Sequence, residues 1–482
     1  MLISLKDNQV NNLTKWDEAV QKNEKSHAYE GEVKDALLSF DGLSLSDLSK
    51  KEFDVRKFLV FPFTAGEKDL ADKDFIYSLV DKETKNPKFR TGNVMGFLGL
   101  GKNVHMRISS RFDDADKNFF LHYMLQKVCN IAYVPETNSG EDQFYDFLFY
   151  LFPNYLNQAI KQGIYRAYVT RKYNDANVRG PIDINRHIRY NIPFNGKVAY
   201  HTREYTTDNN VTQLVRHTIE HIRSLPCGRA VLGGGIAGKT RDNVQAIEQV
   251  TESYNKNARN QIISKNLRRI THPYYTAYEP LRLLCLSILL HKKLSYGEDS
   301  KLIGGILFDG ASLWEEYLAT VIDKAKLGFV HSNNRLKQNG IRLFENGGTY
   351  YPDFYRRNQA IDQSIVLDAK YKRFANVSEN DETDTFDNDT GFKVCMGRND
   401  LFQMLAYIHC IPAKKAILLF PIENKNNQYE TVLQSRPKKA LGQGGQISAI
   451  GIPIPQNTAS FKDFSEKMAG IEEKLIQELR EY

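Results

Sequence analysis

The sequence predicts an α/β protein. Its carboxy-terminal part reads as a mixed central sheet flanked by helices, preceded by a strand-rich α+β region and a helical connecting region. Three observations carry this. Residues 301–425 hold an amphipathic helix, two strands, a second helix and an apolar strand AILLFP in succession. Residues 92–128 alternate apolar and polar with the period of strands and then pass into a helix. Residues 211–300 carry apolar positions at helical spacing.

In chain order, residues 1–91 mix polar amphipathic stretches with one apolar strand, KFLVFPF at 57–63, and read as an unassigned module with room for a specificity or docking role. Residues 92–210 are strand-rich with a long helix pair. Within them FYDFLFYLFPNYLNQAIKQGIYRAYV is aromatic at helical spacing, the pattern of a core stripe rather than of a ligand site. Asp208 is placed to cap the next helix, and the basic, polar NKNARNQIISKNLRRI continues the helical stretch. Ser378 to Thr390 (SENDETDTFDNDT) is acidic and poor in apolar residues, so it reads as a mobile loop; it lacks the glycine and spacing of an EF-hand. Residues 426–482 contain the loop RPKKALGQGGQ, a short strand and an amphipathic terminal helix suited to a partner or to the core.

A chain of 482 residues has room for two or three ordinary domains. Lys and Arg number 65 against 58 Asp and Glu, a formal charge of +7, and the pI is near 8.8. That balance permits nucleic acid without demanding it. Cys129, Cys227, Cys285, Cys395 and Cys410 are dispersed and form no C-x-x-C pair, which argues for a reducing compartment and against structural zinc. The amino terminus lacks the pattern of a signal peptide and the longest apolar run, LRLLCLSILL, is too short to span a bilayer. A cytoplasmic protein with no membrane partner is expected.

The chemistry concentrates in residues 350–370, YYPDFYRRNQAIDQSIVLDAK. Asp353 reads as the close of a short aromatic strand. Ser364 to Lys372 (SIVLDAKYK) opens with the apolar, β-branched run of a buried strand. Strand side chains alternate, so Asp368 and Lys370 share one face and Ala369 takes the other. Two carboxylates and one amine can then converge. Phosphodiester hydrolysis needs that set: carboxylate oxygens for Mg²⁺ and a cation beside the nucleophilic water or the phosphate. A solvated surface hairpin is the alternative, since D-x-K alone is common.

The flanks favour the first reading. Downstream, Asp400 is placed to cap a helix LFQMLAYIHCI whose apolar stripe is Leu401, Met404, Leu405 and Ile408, leaving Gln403 and Tyr407 four apart on one flank. Upstream, SLWEEYLATVIDKA reads as a helix begun by Ser312 with Glu315 and Glu316 in its first turn, where acids also suit the helix dipole.

The order of helix with Glu, strand with Pro-Asp, strand with Asp-x-Lys, helix with Gln-x-x-x-Tyr and apolar strand resembles the PD-(D/E)xK nuclease superfamily. LWEEYL (313–318), YYPDF, LDAKYK and QMLAY together resemble McrC, the nuclease subunit of McrBC-type restriction systems, including LlaJI-like relatives. The stretch 92–128 and the segments VRGPIDINRHIRYN and TREYTTDNNVTQLVR are similar to the same family, though Ser110-Arg111 stands where many members carry Pro-Lys. The likeness spans roughly residues 90–420.

It implies a restriction-endonuclease-like fold and a DNA endonuclease using Mg²⁺, with Mn²⁺ as a possible substitute. Asp353, Asp368 and Glu315 would be the metal residues, Lys370 the catalytic cation, and Gln403 and Tyr407 auxiliaries. It also implies an oligomeric complex with a separate McrB-like AAA+ GTPase, engaged by the amino-terminal region, so that GTP acts only through the partner.

Two motifs compete. Gly233 to Thr240 (GGGIAGKT) matches GxxxxGK[ST], with Gly233, Gly238, Lys239 and Thr240 as the nucleotide set. Only Ala230-Val231-Leu232 precede it, short of the buried strand such a loop follows. His217-x-x-Glu220-His221 matches the inverted zincin motif without an evident third ligand. A P-loop nucleotide-binding protein and a non-catalytic DNA-binding or adaptor subunit are the alternative functions. The intact acidic pair and lysine weigh against the latter.

Overall fold

The computed structural model describes residues 2–12, 37–43, 58–61, 75–80, 88–100, 104–114, 117–129, 142–233, 239–290, 303–334, 337–342, 344–357, 364–374, 383–388, 392–424, 427–441 and 444–482. The chain divides into two compact units. One comprises Met1–Val128, Val134–Phe144 and Lys293–Tyr482, the other Cys129–Tyr133 and Tyr145–Lys292.

In the first unit, β1 (Leu2–Lys6), β2 (Phe58–Phe61), β3 (Val94–Leu100), β4 (Val104–Ser109), helix α1 (Phe119–Cys129) and β5 (Ile303–Asp309) come first. The strands form one sheet in the order β1-β4-β3-β5-β2. The alternating stretch forms strands β3 and β4, as its period predicts; β3 pairs antiparallel with both β4 and β5, and β1 and β2 add parallel edges. Among the described residues of 1–91, strands β1 and β2 form the edges of this sheet. Ile3, Leu5, Leu98, Met106, Ile108 and Leu307 fill its core. Asp113 caps α1, accepting from the backbone N–H of Phe120 and Leu121. Burial pushes its carboxyl up to about 7 despite those bonds.

β5 runs directly into α2 (Gly310–Lys324), and the Asp309 carboxylate caps it, accepting from Ser312 N at 2.9 Å. The cap is thus Asp309 rather than Ser312, and Glu315 and Glu316 sit in the second turn. There the helix dipole no longer accounts for them. α2 buries Leu313, Trp314, Tyr317, Leu318, Val321 and Ile322.

Then follow β6 (Val330–His331), β7 (Phe354–Arg356), β8 (Ile365–Ala369), β9 (Thr383–Asp387), β10 (Lys393–Gly397), α3 (Arg398–Cys410), β11 (Lys415–Asn424), β12 (Gln446–Pro455) and α4 (Phe461–Glu481). The second sheet is mixed, ordered β6-β7-β8-β11-β12, with β12 also carrying the short strands Leu433–Gln434 and Lys438–Lys439. β8, β11 and β12 are parallel, and β6 and β7 join antiparallel. Parallel strands covered on both faces read as continuous apolar runs, and β11 and β12 do so.

Two expectations change here. The acidic segment is not simply a loop: Thr383–Asp387 forms β9 and pairs with β10, burying Phe386, while residues 375–382 and 389–391 lie outside the described residues. The strand beyond residue 426 is ten residues long and deep in the sheet rather than short. The terminal helix α4 packs on β12 and α2 through Phe464, Met468, Ile471 and Leu475.

The second unit holds a long antiparallel hairpin, Ala167–Asp175 with Val198–Thr206, and its described residues between Asn210 and Leu289 are mainly helical, as their spacing predicts. The aromatic helix Asp142–Lys161 buries Tyr150, Leu151, Phe152 and Leu156, which makes its stripe core. Asn209, not Asp208, caps helix Asn210–Arg223 in a reciprocal box with Thr212. Asp208 instead accepts from Gln213 Nε2 and Ser253 N. All five cysteines are free. Among the described residues no helix is long and apolar enough to cross a membrane.

Candidate active site

The site lies at the carboxyl end of β8, where ligands gather in open α/β sheets. Lys370 N donates to Leu419 O at 2.9 Å, holding the chain beside β11 one residue past the strand. Asp353 stands just before β7 and so opens that strand rather than closing one. Pairing of Phe354 with Leu367 sets Asp353 across from Asp368. Its Oδ2 accepts from Ala369 N at 2.6 Å.

Asp368 is 1% exposed, and Lys370 Nζ lies 2.9 Å from its Oδ2. Lys370 Nζ also donates to Gln403 Oε1 at 2.8 Å, and Gln403 Nε2 donates to the Tyr407 hydroxyl at 3.0 Å. The chain Asp368, Lys370, Gln403, Tyr407 is continuous. Asp400 does not cap α3, which begins at Arg398 after Gly397. It sits in the first turn and accepts from Lys372 Nζ at 2.8 and 3.0 Å. The buried face of α3 is Met404, Tyr407 and Ile408, with Leu401 partly buried on the core and Leu405 exposed.

Glu315 approaches from α2, its Oε1 3.0 Å from His331 Nε2. His331 stacks on Phe354 at 5.0 Å between ring centroids. Burial would lower the His331 pKa, but the hydrogen bond to Glu315 and the charges of Glu315, Glu316 and Asp323 raise it above the usual histidine value. Sequence reasoning missed His331, because a two-residue strand has no period to read. Glu315 and Asp353 both open onto one cavity of about 320 Å³.

Burial is the main force on the acids. It raises Asp353 well above the carboxylate range, and Asp368 and Glu315 add to the shift while Lys370 opposes it. Asp368 is raised by burial against the pull of Lys370. Lys370 itself is raised, since Asp368 and Asp353 outweigh its own desolvation. Two like charges are thus confined together.

This donor set fits a hard divalent cation. Neither Asp368 oxygen has a hydrogen-bond donor in good geometry, so Lys370 balances its charge without satisfying its lone pairs. Asp353 keeps an oxygen beyond its bond to Ala369 N. A bound cation would also relieve the mutual repulsion. Glu315 is turned to His331, and among the described residues no three His, Cys, Asp or Glu side chains are gathered into a ready metal cage.

The competing motifs do not hold up. Gly233 ends a six-residue helix and Lys239 opens another, so no strand leads into the phosphate-loop match; residues 234–238, with Gly238, lie outside the described residues. Thr240 is buried and its hydroxyl accepts from Asn157 Nδ2 at 3.0 Å. His217 is buried against the Tyr254 ring, and burial lowers its pKa. Glu220 is taken up by Arg216 and Arg223.

Fold and site define the class: a mixed α/β protein with an acidic pair, a lysine and a glutamine–tyrosine pair gathered at the end of a buried strand. The chain belongs to the family of McrBC 5-methylcytosine restriction system components, whose model matches residues 89–421. No curated protein matches it. Among solved structures it is similar to a chain of the refined half-complex from the tetradecameric assembly of Thermococcus gammatolerans McrB AAA+ hexamers with bound McrC, at 13% identity over 97% of this chain and 99% of that one, with a TM-score of 0.43. It is also similar to a chain of the cryo-EM structure of the Thermococcus gammatolerans McrBC complex, at 15% identity over 68% of this chain and 88% of that one, with a TM-score of 0.30.

Proposed function

We propose that this restriction-system component is its DNA endonuclease subunit, a Mg²⁺-dependent PD-(D/E)xK hydrolase of the McrC type. The observation that carries the reading is the convergence of Asp353, Asp368 and Lys370, with Asp368 buried and neither of its oxygens given a hydrogen-bond donor in good geometry. Asp353 and Asp368 would hold Mg²⁺, or Mn²⁺ in its place, with Glu315 as the further carboxylate. The bound ion supplies polarisation of a phosphoryl oxygen and a water of lowered pKa.

The chain's own residues do the rest. Lys370, fixed between Asp368 and Gln403, presents its ammonium to the water or to a phosphate oxygen. Tyr407 holds the Gln403 amide so that its oxygen faces Lys370. The partner in this proposal is a separate McrB-like AAA+ GTPase, the kind of protein named beside McrC in the Thermococcus assemblies. GTP enters only through that partner, engaged by residues 92–210, and the complex acts on foreign DNA in the cytoplasm.

The test is cleavage of DNA by the full chain with Mg²⁺ and the GTPase of the same system. Asp353→Ala and Lys370→Ala should each abolish cutting and leave partner binding intact. Wild-type rates in both variants would reject the assignment.

A further inference from the structure

The cavity beside Asp353 and Glu315 has a second wall that the acidic site does not use. Asn333, Asn334, Lys337 and Tyr351 form it, and its volume of about 320 Å³ is at the small end of ligand sites, roughly 300–1,000 Å³. That is room for one nucleotide unit of a strand.

The wall is built. Ser332 N donates to Asp353 O at 3.1 Å, and its hydroxyl bonds Pro352 O. Asn333 and Gln338 exchange backbone hydrogen bonds at 3.0 Å, and Asn339 Nδ2 donates to His331 O at 2.9 Å. Gly340 lies against the aromatic ring: a Cβ there would meet Tyr351 Cε1 at 2.6 Å, so only glycine lets the ring settle on the chain.

Lys337 adopts the left-handed backbone region, φ 54°. Its ammonium lies 5.4 Å from the Tyr351 ring centroid and donates to Asn334 Oδ1 at 2.9 Å. Among the described residues no carboxylate pairs with it. The cavity is thus lined by two acids, Glu315 and Asp353, and by one cation, Lys337. A ligand that spans it needs one anionic group for a cation held by the acids and another for Lys337. Successive phosphates of one nucleic-acid strand have that chemistry.

We propose that this cavity is a nucleotide subsite that takes the phosphate next to the scissile one on the strand being cut. Lys337 and the Asn334 amide face that phosphate, and Tyr351 lies against the sugar or base. The subsite rests on the nuclease reading of Asp353, Asp368 and Lys370.

The probe is thymidine 3′,5′-bisphosphate, with Ca²⁺ as the non-hydrolysing cation, titrated calorimetrically into the full chain. Lys337→Gln should weaken binding roughly tenfold, the order of one charge-assisted hydrogen bond, and flatten the salt dependence. Lys337→Arg should restore most of it. In Mg²⁺-dependent cleavage with the GTPase partner, Lys337→Gln should raise KM for DNA by more than it lowers kcat. Unchanged bisphosphate affinity in Lys337→Gln, alongside wild-type cleavage that Asp353→Ala abolishes, would overturn the subsite and leave the nuclease standing. Absence of any cleavage by the wild-type complex would remove both.

Discussion

Gly310→Ala tests how tightly the amino-terminal sheet grips the active-site strand. Gly310 is the first residue of α2, and a Cβ there would lie 2.7 Å from Tyr371 Cε1 and 3.1 Å from Cδ1. Carbon contacts settle near 3.5–4.0 Å, so the ring would have to retreat roughly 1 Å. It has nowhere to go. Its hydroxyl shares a 2.6 Å hydrogen bond with Ser110, the Arg111 guanidinium lies 4.7 Å from its centroid, and Phe112 meets it edge-on at 5.2 Å. Overpacking of a fixed core costs about 1–3 kcal/mol, whereas the helix preference for Ala over Gly returns at most about 1 kcal/mol. A net loss of about 1–2 kcal/mol should appear in urea unfolding. Because Tyr371 follows Lys370 directly, the shift should also slow DNA cleavage, toward the roughly 100-fold that an ångström of misplacement can cost. In a Tyr371→Leu background the alanine penalty should vanish. A Gly310→Ala protein as stable and as active as wild type would refute the reasoning.

The remaining predictions concern charge. Burial and the neighbouring Asp368 and Glu315 raise the pKa of Asp353, so Asp353→Asn, which keeps an oxygen for Ala369 N, should raise the melting temperature in EDTA; Mg²⁺ should raise the melting temperature of wild type but not of the variant. A lower melting temperature of the variant in EDTA would contradict this. Asp113 has a folded pKa of about 7 against 3.8 ordinarily, so the native state binds the proton more tightly and this group's contribution to stability falls as pH rises from about 4 to about 7. Urea unfolding at pH 5 and pH 8 should therefore show a larger loss in wild type than in Asp113→Asn, and equal losses would show that burial of Asp113 does not govern the slope.

What could be read from the sequence is what is local. Asp368 and Lys370 are two residues apart at the end of a strand, and Gln403 and Tyr407 four apart on a helix, so periodicity alone assigns each pair to one face, and hydrogen bonds join the two pairs. Caps were less legible: Asp309, Gly397 and Asn209 begin the helices for which Ser312, Asp400 and Asp208 were expected, because neighbouring polar residues compete for the same backbone donors and tertiary partners decide. Asp400, for one, is held by Lys372. Contacts across hundreds of residues carry no local signal. Arg111 pairs with Asp7 at 3.0 Å and donates to Tyr371 O at 3.3 Å, where the family resemblance marked only a departure from Pro-Lys.

β5 joins a sheet whose other described strands come from the first 109 residues, yet its last residue caps the helix that bears Glu315. Some two hundred residues of chain separate that strand from its neighbour β3, and the second unit is spliced into the interval. The active-site half is consequently not severable from the amino terminus. A cut near residue 301 would strip β3 and β2 from β5 and leave Asp309 on a frayed strand. Exchange of the inserted unit, by contrast, respects the way the chain is partitioned.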